Sequence, residues 1–470
     1  MPDTSANSRR KIMLYSSLLF IYGFLPLSLL LYYAVPRKVQ IPLLLAVSTV
    51  FCGFIGLRYL LFMAAYTVIN YASARLISRY RGKNEMASAV FAIGVSFDII
   101  SVFIFRTALF APLRGAFGFP EEFFPIGISF MTLSAIGTLM DIYGDKAEAD
   151  RNFIRFALYF LFFPRLIMGP VLRYRSFAKM LDSRKPELAE IGVGLTIFVK
   201  GLAKKVLAAD TLFMLYQAVR SRDVQDMSLL TAWLGISAYM LCLYFTLSGM
   251  ADMGTGAGYC FGIKMPQSFN YPVFSTKIRY FAARWQIQTV QWMRRYITKP
   301  LYAHFTGRIM RRLIFIGVWS VFGFWYTFSL NGLLWGMLIG AAITIESSIS
   351  RGKLIDTTGV IYTAVVVMIS GVFLAGGDVV YSFRYLLAMI GRESIADRFG
   401  FYLVKSYIVV LLISIYASTD LFRNMMIRSG RSRIRSAFAV ISPLVVLLLF
   451  IACTAMIMYG GSSVIMLMKL

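Results

Sequence analysis

Long apolar runs separated by short polar segments dominate the chain. Runs of roughly 18–25 mostly apolar residues suit helices that cross about 30 Å of hydrocarbon. They recur at residues 12–35, 41–77 (long enough for two passes), 89–112, 123–143, 153–172, 190–209, 228–250, 310–330, 359–376, 401–419 and 437–459. The polar interruptions between them are only loop-sized. The pattern predicts roughly ten to twelve membrane helices in a single membrane domain over residues 1–470.

The composition excludes a soluble globular protein. Of 470 residues, 59% are hydrophobic and 16% aromatic, well above the usage of soluble domains. Arg9, Arg10 and Lys11 precede an apolar run of about 24 residues, longer than the apolar core of a secretory signal, so we expect a retained first helix. The 4 cysteines lack metal-binding or paired spacing and are expected to be packing residues.

The basic excess bears on possible partners. The chain has 48 Lys and Arg against 22 Asp and Glu, a formal net charge of +26. One interpretation is attraction to an anionic polymer or a nucleotide-bearing donor. The other, which we favour, is that the loops face acidic membrane lipid under the positive-inside rule. Nucleic-acid binding is not expected, because the basic residues are spread among the spans instead of lying on one soluble face.

The segment from Lys264 to Arg312 has 10 basic residues and no acidic one, with aromatic residues between them. It does not fit a simple span. We predict short interfacial helices over 275–300, with one face toward the acyl chains and the other toward headgroups or water. The first face carries Trp285, Trp292 and Tyr296, and the second carries Arg284, Arg294, Arg295 and Lys299. A further role in holding a phosphate-bearing donor such as coenzyme A is equally compatible.

Polar residues and glycines inside the apolar runs need an explanation. Carboxylates within or beside a span are costly and usually paired or functional, which applies to Asp141 and Asp252. We expect Asp252 to pair with a nearby Arg or Lys. The glycine-rich patch over 249–258 lacks the GK[ST] ending of a phosphate loop, so close helix packing is expected there. A single histidine excludes most metal sites, and no metal is expected.

Several segments resemble the membrane-bound O-acyltransferase (MBOAT) family, notably its bacterial alginate O-acetylase branch. The core ones are FNYPVFSTKIRYFAARWQIQTVQWMRRYITKPL at 269–301 and GFWYTFSLNGLLWG at 323–336. FPRLIMGPVLRY at 163–174, GLAKK at 201–205 and YFTLSGMADM at 244–253 follow the family's order. The resemblance covers nearly the full chain.

The departures from the family pattern fall at positions where the family has polar residues. Trp285-Gln286 and Trp325-Tyr326 stand where the family has Trp-His, and the second histidine is its presumed catalytic group. Thr246 and Leu374 stand where Asp and Arg are common. A histidine ionises near pH 6.5 and can act as a base, whereas tyrosine ionises near 10 and glutamine does not titrate. His304 is interpreted as an interfacial side chain instead of a relocated base.

The resemblance implies an all-α MBOAT-type fold, with roughly eleven membrane helices around a tunnel. It implies acetyl-CoA as a donor substrate, no bound cofactor, and O-acetylation of an exported polysaccharide at the bacterial inner membrane. The implied catalytic positions are Tyr326 and Gln286. The implied donor-binding residues are Arg173, Asp252, Arg284, Trp285 and Trp325. For Arg173, Lys204 and Lys205, a place at the cytoplasmic mouth and simple positive-inside anchoring both remain open.

Two functions follow from the retained scaffold and the altered site. The first is a catalytically impaired homologue that serves as a binding or scaffold subunit of a polysaccharide synthesis, export or modification complex. The second is an atypical O-acyltransferase in which Tyr326 and Gln286 bind the thioester carbonyl. The expected partners are membrane lipid, a polysaccharide synthase or a periplasmic acetyltransferase, and an anionic polymer.

Overall fold

The structure, a computed structural model, describes residues 13–116, 125, 127–184, 187–349, 356–421 and 432–459. Arg9, Arg10 and Lys11 lie outside the described residues. Within them no β-strand occurs, and the polypeptide forms helices joined by short loops. The predicted all-α class is confirmed.

Helices α1 to α10 are short or medium in length, apart from α3 and α4. They are α1 Leu19–Ala34, α2 Gln40–Ile55, α3 Leu57–Arg79, α4 Asn84–Arg106, α5 Ala111–Ala116, α6 Ile128–Tyr143, α7 Phe153–Leu161, α8 Phe163–Leu166, α9 Tyr174–Asp182 and α10 Leu188–Ala203. A π-helical segment, Lys204–Ala209, continues α10 directly into the next helix.

Helix α12 is the longest of those that follow. They are α11 Asp210–Arg220, α12 Leu229–Cys260, α13 Ile278–Arg284, α14 Ile287–Met293, α15 Lys299–His304, α16 Arg308–Thr327, α17 Leu330–Ile349, α18 Asp356–Gly371, α19 Val379–Met389, α20 Arg398–Ala417 and α21 Ser432–Met458. A π-helical segment, Arg294–Thr298, joins α14 to α15.

Seven of the described helices are long and apolar enough to cross a membrane, and five shorter apolar helices accompany them. The run 41–77 divides into two helices at Gly56, as predicted. The prediction of a continuous span over 153–172 is wrong, because α7 ends at Leu161 and α8 at Leu166. Helices α17 and α19 were not predicted.

The chain forms two compact units. The first comprises the described residues up to Leu195 together with Gly254–Lys264; the second comprises Thr196–Met253 and the described residues from Met265 onward. The first unit has an aromatic core in which the fully buried rings of Tyr15, Phe20 and Phe51 lie 5.3–6.1 Å apart. Such ring pairs add to the energy of area burial.

Aspartate side chains cap the N-termini of two helices of the second unit. Asp378 Oδ1 accepts from Tyr381 N at 2.6 Å at the start of α19, and Asp397 Oδ1 accepts from Gly400 N at 3.1 Å at the start of α20. Each bond satisfies a backbone donor that the helix leaves without an internal partner. Asp397 also accepts from Ser228 and Thr231 at 2.6 and 2.8 Å, so it ties α20 to the start of α12.

Candidate functional site

The two helices α13 and α14 meet at a sharp break. Gln286 has φ +42° and ψ +57°, the left-handed region that non-glycine residues rarely adopt. An extended segment fixes the break from both sides, because Asn270 N donates to Arg284 O at 3.0 Å and Ile287 N donates to Ser268 O at 2.8 Å. The sequence prediction of short helices over 275–300 is confirmed, and the break places residue 286 at the junction.

Trp285 lies inside the protein. Its side chain is 3% exposed, and its ring centroid lies 5.3 Å from that of Phe269, 5.4 Å from Phe281 and 6.3 Å from Tyr244. The prediction that Trp285 faces the acyl chains is therefore wrong. Tyr296, at 7% exposure, is also buried. The reason for the burial of Trp285 is that rings of α13 and of the extended segment before it pack around the indole.

Two adjacent polar groups at the break have no hydrogen-bond partner among the described residues. These are Trp285 Nε1 and Gln286 Oε1, and the Gln286 side chain is 5% exposed. A buried donor or acceptor left unsatisfied costs roughly 1–3 kcal/mol. The pair offers one donor and one acceptor to any group that reaches it.

A lysine–carboxylate pair lies near this break. Lys204 Nζ is 2.6 Å from Asp252 Oδ2, with 27% and 23% of the two side chains exposed. The phenols of Tyr244 and Tyr271 are close enough to interact electrostatically with Lys204. The prediction that Asp252 pairs with a lysine or arginine is confirmed. Tyr244 is close enough to interact electrostatically with both members of the ion pair, and its ring lies 6.3 Å from that of Trp285, so it links the two groups.

Tyr326 and Trp325 lie on α16, away from the α13–α14 break along the chain. Tyr326 is 6% exposed, and its ring lies 6.0 Å from Phe322 and 5.7 Å from Trp335 on α17. Trp325 stacks on Phe322 at 5.8 Å and is half-buried. The two helices therefore enclose Tyr326 in an aromatic layer.

Glycines allow α16 and α17 to touch at their backbones. A Cβ atom on Gly323 would lie 2.0 Å from Gly332 O, and one on Gly336 would lie 2.0 Å from Trp319 O. Real Cβ atoms do not approach this closely, so the glycines are required by the packing. The close approach places Trp335 against Tyr326.

A turn after α18 packs near Tyr326. The Tyr239 hydroxyl donates to Leu374 O at 2.5 Å, and Tyr239 lies close enough to Tyr326 for the two phenols to interact electrostatically. Leu374 occupies the position where the resemblance leads one to expect an arginine, and it is 6% exposed. No motif in the sequence points to Tyr239.

Helix α12 contributes one residue to each of three groups: the one around Tyr326, the one around Trp285 and the ion pair with Lys204. Tyr239 interacts electrostatically with Tyr326, the ring of Tyr244 lies 6.3 Å from that of Trp285, and Asp252 pairs with Lys204. At 1.5 Å per residue, Tyr239 and Asp252 are about 20 Å apart along the helix axis. The candidate site is therefore a line of three polar and aromatic groups ordered along α12.

Three of the predicted basic residues are paired with carboxylates. Lys205 and Asp210 form a buried ion pair, at 2% and 3% exposure, across one turn of the π-helical segment. The interpretation of Lys205 as a surface anchor is wrong, because its side chain is not at the surface. In the first unit, Arg173 Nε lies 2.8 Å from Asp141 Oδ2, so of the two interpretations left open for Asp141 the structure shows the paired one.

The remaining predictions concern glycines, cysteines and His304. A Cβ on Gly249 would lie 2.7 Å from Gly201 O, and one on Gly254 would lie 2.3 Å from Pro164 O, which confirms close helix packing. The four cysteines are free and buried, as expected. His304 is exposed, and its Nδ1 lies 3.1 Å from Pro300 O. Among the described residues, no group of three or more His, Cys, Asp or Glu side chains could hold a metal ion.

Comparison with known proteins identifies the family. Residues 144–353 match the model of MBOAT, the membrane-bound O-acyltransferase family. Over 420 residues the chain is 31% identical to a probable alginate O-acetylase of Azotobacter vinelandii, covering 86% of this chain and 83% of the relative. This chain belongs to the MBOAT family. The matched segment contains both residues of the α13–α14 break and both of the Trp325–Tyr326 pair.

Two further relatives are named as O-acetylating proteins, one for alginate and one for peptidoglycan. The chain is 33% identical to a probable alginate O-acetylase of Pseudomonas fluorescens, over 72% of this chain and 67% of the relative. It is 26% identical to a peptidoglycan O-acetyltransferase of Helicobacter pylori, over 72% and 71%. Together with the apolar helices, the MBOAT membership makes this a multi-pass membrane protein.

Proposed function

We propose that this protein is a catalytically impaired MBOAT homologue that serves as a binding or scaffold subunit in the production of an acylated exopolysaccharide at the bacterial inner membrane. The proposal is carried by the identity of Gln286 and Tyr326, which stand where the resemblance places the family's two histidines. Gln286 has no titratable proton, and Tyr326 carries a phenol that ionises near pH 10. The names of the relatives, alginate O-acetylases, support the process.

Acyl transfer from a thioester to a hydroxyl requires a base for the hydroxyl proton and donors for the developing oxyanion. Near the α13–α14 break, the carboxylate of Asp252 is held by Lys204 at 2.6 Å. From residue 253 to residue 345 the chain has no Asp or Glu. The next carboxylate along the chain, Glu346, is buried and accepts from Ile278 N at 2.8 Å at the start of α13, and the proposal assigns it a structural role.

The same residues can bind a donor without turning it over. Trp285 Nε1 can donate to a carbonyl oxygen, and Gln286 Oε1 can accept from an amide or hydroxyl group. Arg284 and Trp325 are the further donor-binding candidates of the second unit, and Arg173 is that of the first. Acetyl-CoA is the proposed donor substrate, because the family uses an acyl thioester.

An active atypical O-acyltransferase is the second candidate function. It is favoured by identity of 31–33% to relatives named as O-acetylases. In this case Tyr326 and Gln286 would hold the thioester carbonyl, and the acetyl group would pass toward an exported polysaccharide or a periplasmic acetyltransferase. Both functions use the same binding residues and differ in the presence of turnover.

Restoring the histidines tests the impairment directly. In proteoliposomes, the double variant Gln286→His/Tyr326→His should show faster acetyl-CoA hydrolysis or transfer than wild type. Gln291→His/Tyr280→His introduces the same residue types at exposed positions and should leave the rate unchanged. Wild-type turnover that already matches the double variant would contradict an impaired site.

The cellular process is tested by deleting the gene and measuring the amount and acetyl content of the surface polysaccharide. Loss of the polymer supports a scaffold subunit. Normal polymer without acetyl groups supports the active transferase. Unchanged polymer with unchanged acetylation would rule out both functions.

A further inference from the structure

The end of α15 and the start of α16 form an unusual exposed surface. Residues 303–313 are eleven consecutive exposed positions. They include the basic residues Arg308, Arg311 and Arg312 and four large apolar residues. The apolar ones are Phe305 at 45%, Ile309 at 73%, Met310 at 44% and Leu313 at 57% exposure. We call residues 294–313 the basic hairpin.

The first two turns of α16 separate charge from apolar surface. With 100° of rotation per residue, Arg308, Arg311 and Arg312 fall within an arc of about 100°. Ile309, Met310 and Leu313 fall within an arc of similar width on the opposite side. The helix is therefore amphipathic where it is exposed, which is typical of helices at a membrane interface.

Internal contacts hold the basic hairpin in one shape. The Tyr302 hydroxyl donates to Arg311 O at 3.1 Å, and Arg311 Nε donates to Phe305 O at 3.3 Å. The Arg311 guanidinium also lies 5.6 Å from the centre of the Tyr302 ring. These contacts connect α15 to α16 and organise the surface before any ligand binds.

The positive charge of the hairpin is not balanced within the part of the chain that the structure describes. The ion pairs found there do not include Arg308, Arg311 or Arg312. Arg294, Arg295 and Lys299 are also exposed on the same hairpin. Arginines at the first turn of α16 face the positive end of the helix dipole, which adds to their repulsion. Binding of an external anion would reduce this electrostatic repulsion.

We propose that the basic hairpin binds the headgroup layer of an anionic phospholipid leaflet. The arginine arc contacts lipid phosphates, and the apolar arc lies at the boundary with the acyl chains. Water would solvate the arginines but leave Ile309 and Leu313 exposed. A soluble nucleotide or an acidic polysaccharide would neutralise the charge but would not cover the apolar arc. This inference does not depend on the proposed function.

The test uses the full-length protein in neutral detergent with added phosphatidylglycerol or phosphatidylcholine. We expect phosphatidylglycerol to raise the thermal unfolding temperature more than phosphatidylcholine, and added salt to reduce the difference. The variant Arg308→Gln/Arg311→Gln/Arg312→Gln should show no difference in unfolding temperature between the two lipids. Each arginine removed is expected to lower the preference for the anionic lipid about fivefold.

The matched control removes three other exposed arginines. Arg384→Gln/Arg392→Gln/Arg398→Gln changes the net charge equally in a region where Glu393 and Asp397 supply local negative charge. This control should keep the lipid preference. An equal response of wild type to both lipids, or a preference kept by the hairpin variant, would overturn the proposal. Stabilisation by coenzyme A in phosphatidylcholine that the hairpin variant loses would assign the surface to a soluble phosphate donor instead.

Discussion

Lys204 Nζ lies 2.6 Å from Asp252 Oδ2, and the two side chains come from the π-helical segment and from α12. Both are about three-quarters buried. Removing one partner leaves the other charge in a poorly solvated place, whereas removing both does not. The pair therefore joins two elements of the candidate site through an interaction that a mutation can break selectively.

We predict that Asp252→Asn lowers the free energy of unfolding by about 1–3 kcal/mol, because Lys204 loses its counter-charge. The double variant Lys204→Met/Asp252→Asn should lose less than the sum of the single variants. Thermal and denaturant unfolding in detergent measure the loss of stability in the single variants and in the double variant. Glu190→Gln is the control, since it breaks the 2.6 Å pair with exposed Lys264, where water screens the charges, and it should change the stability less than Asp252→Asn. Additive single variants would contradict the coupling.

The backbone contact between α16 and α17 predicts a strong effect at Gly336. Gly336→Ala places a methyl group 2.0 Å from Trp319 O and should destabilise the protein by about 1–3 kcal/mol. The matched variant is Gly317→Ala, also within this helix pair, where a Cβ would meet nothing within 4 Å. It should be neutral or stabilising by up to about 1 kcal/mol. Similar unfolding temperatures for the two variants would argue against the close packing.

Because the backbone of Gln286 is left-handed, two substitutions can distinguish the role of its backbone from the role of its side chain. Gln286→Val should destabilise by about 1–3 kcal/mol, because a β-branched residue fits poorly at φ +42°. Gln286→Gly keeps the backbone conformation and should retain stability while losing the amide that is proposed to bind the donor. The measurements are unfolding temperature and the affinity for acetyl-CoA. Gln291→Val, at an exposed helical position, should cost less than about 1 kcal/mol.

Asp397 predicts a dependence of stability on pH. Partial burial would raise its pKa, but hydrogen bonds from Ser228, Thr231 and Gly400 N outweigh this effect and hold the pKa below its usual value. Since the folded pKa is lower than the unfolded one, the stabilisation is complete above the unfolded value of about 3.9 and is lost as the pH falls through the folded value. The difference in unfolding free energy between wild type and Asp397→Asn should therefore shrink in acid. A constant difference would contradict this role.

The positions of most spans could be predicted from the apolar runs, because bilayer thickness fixes the length of a crossing helix. The pairing of Asp252 could be predicted from the cost of a lone charge in that setting. Helix α17 was not predicted, since Asn331, Gly332 and Gly336 interrupt its apolar run, and their packing role appears only against α16.

The candidate site was less predictable than the fold. Nothing in the residue type of Gln286 indicates a left-handed backbone, and no local pattern shows that Trp285 is enclosed by other rings. Tyr239 meets Leu374 across 135 positions of sequence, a contact that no local pattern encodes. Lys205 belongs to a basic dipeptide typical of a membrane boundary, yet the π-helical spacing brings it onto Asp210 inside the protein.

The glycine contact between α16 and α17 also bears on how the protein enters its membrane. These two helices are the least apolar of the seven long ones, and α16 begins with three arginines. Neither is well suited to partition from the translocon into lipid by itself. We expect the pair to leave the translocon together as a preformed hairpin, so that a substitution at Gly336 would reduce insertion efficiency during synthesis as well as the stability of the mature protein.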